Sequence, residues 1–338
     1  MNEGLTVAVT GPTGDIGRAA VRALEQAPEV GRVVGMARRP FDPSDLGWQR
    51  AEYRQGDVLD RDSVDALVAG ADVVVHLAFI IFGDREETRE INLEGSRNVF
   101  EAAVAAGASR LVYTSSVAAY GFHEDNPQPL TEDIEPRGTE GFYYSAQKAE
   151  LEGLLEDLTR GKNVETYVLR PCIVAGADAT TLIDEVVDMM SLNGVLAPFQ
   201  RMLQSLPVVA PVLPDPGVPF QLVHHDDVAT AVRAAALGRG APGVYNLAAE
   251  ETLTTSDIAR SLGWRSLPVP SLAVDAATSV LTNAPLMPAR AGWVNAFSVP
   301  VVMDTARARN ELGWVPEHGS HATLEETVDA ARAAGTVQ

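Results

Sequence analysis

A single cysteine, Cys172, stands among 338 residues. That excludes an internal disulfide and any metal site built from several thiolates. Positive charge is scarce: 26 Lys and Arg face 46 Asp and Glu, for a formal net charge of −20. Such a surface repels phosphate backbones and anionic bilayers, so neither nucleic acid nor membrane is an expected partner. No apolar run is long and clean enough to span a bilayer. The most apolar stretch, Leu192–Pro214, carries Gln200, Arg201, Gln204 and several prolines. The N-terminus, MNEGLTVAVTG, has neither the basic segment nor the apolar core of an export signal. There is no internal repeat, no low-complexity tract and no GxSxG elbow of an α/β-hydrolase. With 46% apolar residues the chain can bury a large core. The expectation is a soluble, cytoplasmic protein with a small-molecule substrate.

What is present has an ordered rhythm. LTVAVT (Leu5–Thr10) is a short apolar run stopped by Gly11-Pro12, which predicts a buried strand. Apolar residues at Ile16, Ala20, Ala23 and Leu24 predict a helix over Asp15–Gln26. Further strands are expected at 32–37, 72–78, 110–116 and 164–170, with helices at 87–105 and 145–158. Strands alternating with helices predict an α/β fold, a doubly wound parallel sheet of the Rossmann type. Residues 1–170 are expected to form a dinucleotide-binding domain, rejoined by 220–248. Residues 171–219 and 249–338 would form a smaller, mostly helical substrate domain.

The first turn reads Gly11-Pro12-Thr13-Gly14-Asp15-Ile16-Gly17, between a strand and a helix. Gly11 suits a tight turn, Gly14 the close approach of a pyrophosphate, and Gly17 close packing of helix on strand. The helix N-terminus offers free N–H groups and partial positive charge to phosphates. The spacing alone also fits an ordinary βα turn. At the end of the second strand a dinucleotide site for NAD usually carries an acid. This chain has Ala37-Arg38-Arg39 there. Guanidinium forks match a phosphate, so the cofactor is read as NADP, with NAD as the alternative and solvated loop charges as the plain reading of Arg38 and Arg39. Asp57 and Val58, after the third strand, are expected at the adenine edge.

Tyr144 and Lys148 stand at i, i+4 in YSAQK, which places them on one helix face. A phenol is a weak acid at neutral pH, and a nearby ammonium is expected to lower its pKa. Alone, such a pair also fits a helix surface. Thr114-Ser115-Ser116 ends a strand at the edge where open α/β sheets bind ligands.

The succession of TGPTGDIG, GDV, HLAF (76–79), TSSVAAYG (114–121), YSAQK (144–148), RPCIVAG (170–176), VHHDDVATA (223–231) and ELGWVP (311–316) resembles the extended short-chain dehydrogenase/reductases, the NAD(P)-dependent epimerase/dehydratase superfamily. The resemblance covers almost the whole chain. It implies a Rossmann fold, a Ser–Tyr–Lys site and a homodimer paired through the helices near 87–105 and 144–158. In that family the active hydroxyl lies four residues before the Tyr of a Tyr-Gly pair, here Tyr120-Gly121, so Ser116 carries over. Tyr144 carries over as acid–base, and Lys148 as its modulator and ribose ligand. His76, Leu77, Ala78 and Phe79, with Pro171 and Ile173, belong to the cofactor site by the same match, while Asn92 is read as structural.

Other polar clusters invite other readings. His224-His225-Asp226-Asp227 suggests a metal, but neighbours on a strand point to opposite faces and ligate poorly together; no metal is expected. His123 is read as a loop residue and Cys172 as a small buried filler. In the resembling family, dehydratases place an Asp-Glu pair after the active hydroxyl; here Val117-Ala118 stand there. The apolar stretch Leu192–Pro214 is too interrupted for a regular element and is read as a wall or lid of the substrate pocket, with core or subunit contact as the alternative. The resulting expectation is an NADP(H)-dependent oxidoreductase acting on a carbonyl or alcohol of a small, fairly apolar metabolite. The alternatives are a nucleotide-sugar 4-epimerase and a non-catalytic NADP-binding regulator.

Overall fold

The computed structural model describes residues 4–81, 85–190, 211–269 and 299–337. Its centre is a seven-stranded sheet in which every pairing is parallel. In chain order the strands are β1 (Leu5–Thr10), β2 (Val30–Ala37), β3 (Glu52–Gln55), β4 (Val73–His76), β5 (Arg110–Thr114), β6 (Glu165–Pro171) and β10 (Gly243–Leu247). Across the sheet they run β3-β2-β1-β4-β5-β6-β10. The order reverses between β1 and β4, where Thr10 pairs with His76. An open α/β sheet places its ligand cleft at such a reversal.

Alternation along each strand feeds two cores, because both faces of a parallel sheet are covered. Val7, Val9, Val73, Val75 and Val112 face one core, shared with α1 (Asp15–Glu25) and α7 (His225–Ala236). Ala8, Val34, Val74, Leu111 and Tyr113 face the other, beneath α2 (Arg61–Val68), α4 (Gly95–Ala105) and α5 (Tyr143–Thr159). The helix expected over 87–105 is α3 (Arg85–Arg89) running into α4 through one π-turn, Glu90–Glu94. Such turns insert one extra residue and re-aim a side chain, here Asn92.

A third core lies between α6 (Thr181–Met190), α8 (Thr255–Leu262) and α9 (Ser320–Ala333), with Ile183, Ile258, Leu262, Leu324 and Val328 inside. Two parallel strand pairs accompany it: β7 (Ile173–Ala175) with β9 (Leu222–His224), and β8 (Val212–Asp215) with β11 (Arg265–Pro268). Of the segment 220–248, then, β10 joins the main sheet and β9 does not. Residues 192–210 of the apolar stretch lie outside the described residues. Its other end corrects the expectation of irregularity, since Val212–Pro214 belong to β8. No helix among the described residues is long and apolar enough to cross a membrane.

Candidate active site

The glycine turn sits at the carboxyl end of β1. Gly11 has φ +70, and a Cβ there would lie 2.7 Å from the Ala78 backbone nitrogen. Gly17 is tighter: its Cβ would stand 2.1 Å from the Gly11 carbonyl oxygen. Gly14 differs, with nothing nearer than 3.6 Å, and it caps α1 without a side chain. The first-turn amides therefore receive no side-chain cap, and the space above them is open, as a phosphate requires. The Thr13 carbonyl accepts from Arg18 Nε at 3.1 Å. Asp15 accepts from the Thr181 hydroxyl at 2.9 Å, tying α1 to α6. Gly17→Ala is expected to destabilise the fold by about 1–3 kcal/mol through overpacking. Gly14→Ala should cost less stability but weaken nucleotide binding. Thermal unfolding and a nucleotide titration separate the two.

Arg38 and Arg39 leave the end of β2 exposed, and among the described residues neither guanidinium is hydrogen-bonded or ion-paired. Their carbonyls are held by Gln55 Nε2 and Tyr53 Oη, both at 3.1 Å, which fixes the loop and leaves the side chains outward. Asp57 and Val58 follow β3 on the same edge. The Asp57 carboxylate accepts from Leu59 N–H, and Val58 packs buried beneath α4. Thr13, Arg38, Arg39, Asp57, Val58 and Ala78 thus flank the cleft without lining its cavity.

That cavity, ≈530 Å³, opens beside Gly11, Gly14, Asp15, Ile16 and Gly17 and is bounded farther in by Leu77, Phe79, Pro171 and Ile173. Ser116, Tyr144 and Lys148 meet in its wall. Ser116 ends the β5 segment in extended backbone, and its oxygen accepts from Ala118 N–H at 3.1 Å. Tyr144 and Lys148 come from the first turns of α5, one turn apart. Burial pushes the Tyr144 phenol up to about 12, against a smaller downward pull from its hydrogen bond with Ser116. Burial pushes Lys148 down to about 7, while Glu152 draws it back up. The expected lowering of the phenol by the ammonium is therefore not what the free protein shows. Removal from water outweighs the neighbour, since Lys148 Nζ stands 6.0 Å from the Tyr144 ring centroid and is turned to the Thr114 carbonyl at 2.9 Å.

Behind the site lies a charged network that pattern reading missed. Glu152, one turn beyond Lys148, takes both Arg170 Nε (3.0 Å) and Nη2 (2.5 Å), and accepts the Ser115 hydroxyl at 2.5 Å. The Arg170 guanidinium lies 4.3 Å above the Tyr120 ring, and Tyr120 Oη donates to Asn246 at 2.7 Å. The available signal was Glu152 on the stripe of α5 that also carries Leu151 and Leu155 into the core. Asn92 bonds both backbone groups of Ile80 and the Gln147 side chain (2.8–2.9 Å). His76 is buried and neutral, its pKa taken to about 3 by burial and then by Lys148.

The histidine pair departs from expectation. β9 ends at His224 and α7 begins at His225, so strand alternation stops between them and the rings lie 4.2 Å apart. Their nitrogens and the Asp226 carboxylate come within 4.8 Å of one another. Each ring nitrogen already has a protein partner: Asp226 N–H and Glu326 for His224, Asp226 Oδ1 and Asp178 N–H for His225. His123 bonds the Gly138 carbonyl at 2.6 Å. Cys172 lines the cavity, but burial pushes its thiol up, away from the reactive thiolate.

The sequence profile of the NAD dependent epimerase/dehydratase family matches residues 7–248. Over 330 residues the chain is 25% identical to an uncharacterized protein of Sinorhizobium fredii, covering 95% of this chain and 77% of that one. Over 182 residues it is 32% identical to sterol demethylase protein B of Methylococcus capsulatus, covering 51% of this chain and 52% of that one. It spans only 30% of the length of the uncharacterized mycobacterial relatives it also matches at 28% identity. In three dimensions it resembles a short-chain dehydrogenase/reductase superfamily protein from Agrobacterium tumefaciens, solved with bound NAD, at TM-score 0.71 and 23% identity, covering 97% of this chain and 98% of that one.

Proposed function

Because the chain belongs to the NAD dependent epimerase/dehydratase family, we propose that it is an NADP(H)-dependent oxidoreductase interconverting a carbonyl and an alcohol on a small, largely apolar molecule. One observation carries the substrate class. Beyond the Ser116–Tyr144–Lys148 corner the described cavity wall is made of residues such as Ile81, Phe122, Leu182, Val186, Phe220 and Val301, and Lys148 is the one cation among the described lining residues. A buried diphosphate wants guanidinium or ammonium partners. Acidic Asp15 and Glu185 are the other charged groups in that wall, so a nucleotide-sugar is disfavoured. Val117 and Ala118 occupy the positions after Ser116 and offer neither the acid nor the base of an elimination.

The glycine turn suits the pyrophosphate, and Arg38 and Arg39 suit a 2′-phosphate. When bound, the cofactor supplies or accepts the hydride. Ser116 Oγ and Tyr144 Oη bond the carbonyl oxygen. A phenol near 12 is fully protonated at neutral pH and has a proton to give to the oxygen as it becomes an alcohol. Lys148 holds the nicotinamide ribose and places positive charge beside the nascent phenolate. A nucleotide domain with a separate substrate domain, a homodimer through α4 and α5, and residence in the cytoplasm belong to the same proposal.

Two assays test it. NADPH consumption across a panel of apolar ketones and aldehydes should reveal turnover. Interconversion of UDP-sugars without net cofactor change would replace this reading with the 4-epimerase, and binding without any turnover would replace it with the regulator. Titration should show NADPH binding more tightly than NADH. Arg38→Ala should weaken NADPH by about 1.5–3 kcal/mol, the worth of a hydrogen bond to a charged group, and leave NADH unchanged.

A further inference from the structure

The segment Leu77–Ile81 enters the site from the end of β4 with its course fixed at both ends. Leu77 N–H donates to the Thr10 carbonyl at 3.1 Å. Ile80 is clamped on both backbone groups by Asn92, the residue the π-turn turns inward. Between these anchors the Phe79 ring lies with its centroid 3.8 Å from Lys148 Nζ. The same ring meets Tyr144 edge to face, 5.5 Å between centroids and 84° between planes. It therefore touches both groups on which the proposed chemistry depends.

A lysine ammonium has three N–H donors. Among the described residues, Lys148 gives one of them to an oxygen, the Thr114 carbonyl. The side chain is otherwise buried, 3% exposed. An aromatic face attracts an ammonium through its quadrupole and has no comparable attraction for the neutral amine. We propose that Phe79 is a positioning residue that holds the Lys148 side chain as an ammonium beside Tyr144, its ring face taking the place of water at this buried site.

Of the other groups around Lys148, Glu152 favours the ammonium by its charge, from beyond ion-pair distance. On its own helix, Tyr144 stays protonated, and the two carboxylate oxygens of Glu152 are committed to Arg170 and Ser115. On β5 the Tyr113 ring is more distant, 5.2 Å to its centroid. On β4, His76 is neutral. Asp15 and Glu185 line the same cavity. Burial takes Lys148 down to about 7 with Glu152 opposing it, so a modest contribution from Phe79 decides its charge near neutral pH.

The proposal rests on the functional reading only in taking Lys148 as a working group of the site, and its test does not pass through turnover. The chain contains two lysines, Lys148 and the exposed Lys162. Lysine labelled with ¹³C at Cε therefore gives two resonances in the whole protein, assigned by Lys162→Arg. Titration reads the Lys148 midpoint directly. Phe79→Leu removes the aromatic face and is expected to lower that midpoint by about one unit or more, as a desolvated cation–π contact implies. Phe79→Tyr keeps the face and should leave the midpoint in place. An unmoved midpoint in Phe79→Leu, or equal shifts in both variants, overturns the proposal. Should Phe79→Leu fail to fold, the wild-type protein decides. Ring current must shift the Lys148 Cε protons upfield of those of Lys162, and equal shifts overturn the proposal. A shifted midpoint in a protein that turns over no carbonyl compound would leave this inference standing and remove the functional one.

Discussion

Tyr144→Phe is expected to cut turnover by about two orders of magnitude or more, the usual worth of general acid catalysis. The substitution removes one oxygen from a buried ring and keeps its contacts with Phe79 and Phe142. Stability and nucleotide affinity should therefore change little, and a drop in kcat with KM for the nucleotide nearly constant is the pattern to look for. The wild-type pH profile of kcat/KM adds a second reading, since it reports groups of the free enzyme. With Lys148 near 7 and Tyr144 near 12, activity requiring the ammonium is present below about pH 7 and declines above it. Near-normal turnover in Tyr144→Phe would sink the assignment of the proton donor.

The largest effect on folding is expected from Glu152→Leu. Glu152 and Arg170 are both nearly inaccessible, at 6% and 2% side-chain exposure. Removing the carboxylate leaves a buried guanidinium without its counter-charge and the Ser115 hydroxyl without its acceptor. Breaking one side of such a pair costs about 3–5 kcal/mol, whereas replacing both sides with apolar residues is often neutral. Denaturant unfolding should show a lower midpoint for Glu152→Leu with the slope unchanged, and most of the loss recovered in Glu152→Leu/Arg170→Leu. A single variant within about 1 kcal/mol of wild type would show that the pair does not anchor this strand end.

What could be read from the chain follows the range of the forces involved. The β1–glycine–α1 unit is legible because an apolar run, a turn and an amphipathic helix are all local. β3 is not legible from its own pattern, since EYRQ is an edge strand whose residues are mostly exposed, held by register with β2. β8 and β11 pair at a separation of 53 residues and carry no alternation that announces it. At the site, Ser116, Tyr144 and Lys148 stand out by spacing and by family likeness. Glu152 does not, because a glutamate on a helix ordinarily faces water, and its partner lies on β6. The rings of His224 and His225 come together because a strand gives way to a helix between them, a boundary that residue type alone leaves uncertain by a residue or two.

The bond from Thr181 to Asp15 has a kinetic consequence. Asp15 opens the helix whose N-terminus suits the pyrophosphate, and Thr181 opens the helix that contributes Leu182, Glu185 and Val186 to the cavity wall. Arg22 strengthens the same seam, 3.1 Å from Asp178 and 3.5 Å from Asp226. A nucleotide settling on α1 thus meets a carboxylate already engaged to the substrate wall, and any displacement of that carboxylate is passed to the wall. Under the proposed function, the two ligands are then expected not to enter independently. Initial-rate patterns should show a compulsory order of addition, nucleotide first, and Thr181→Val should relax it toward random.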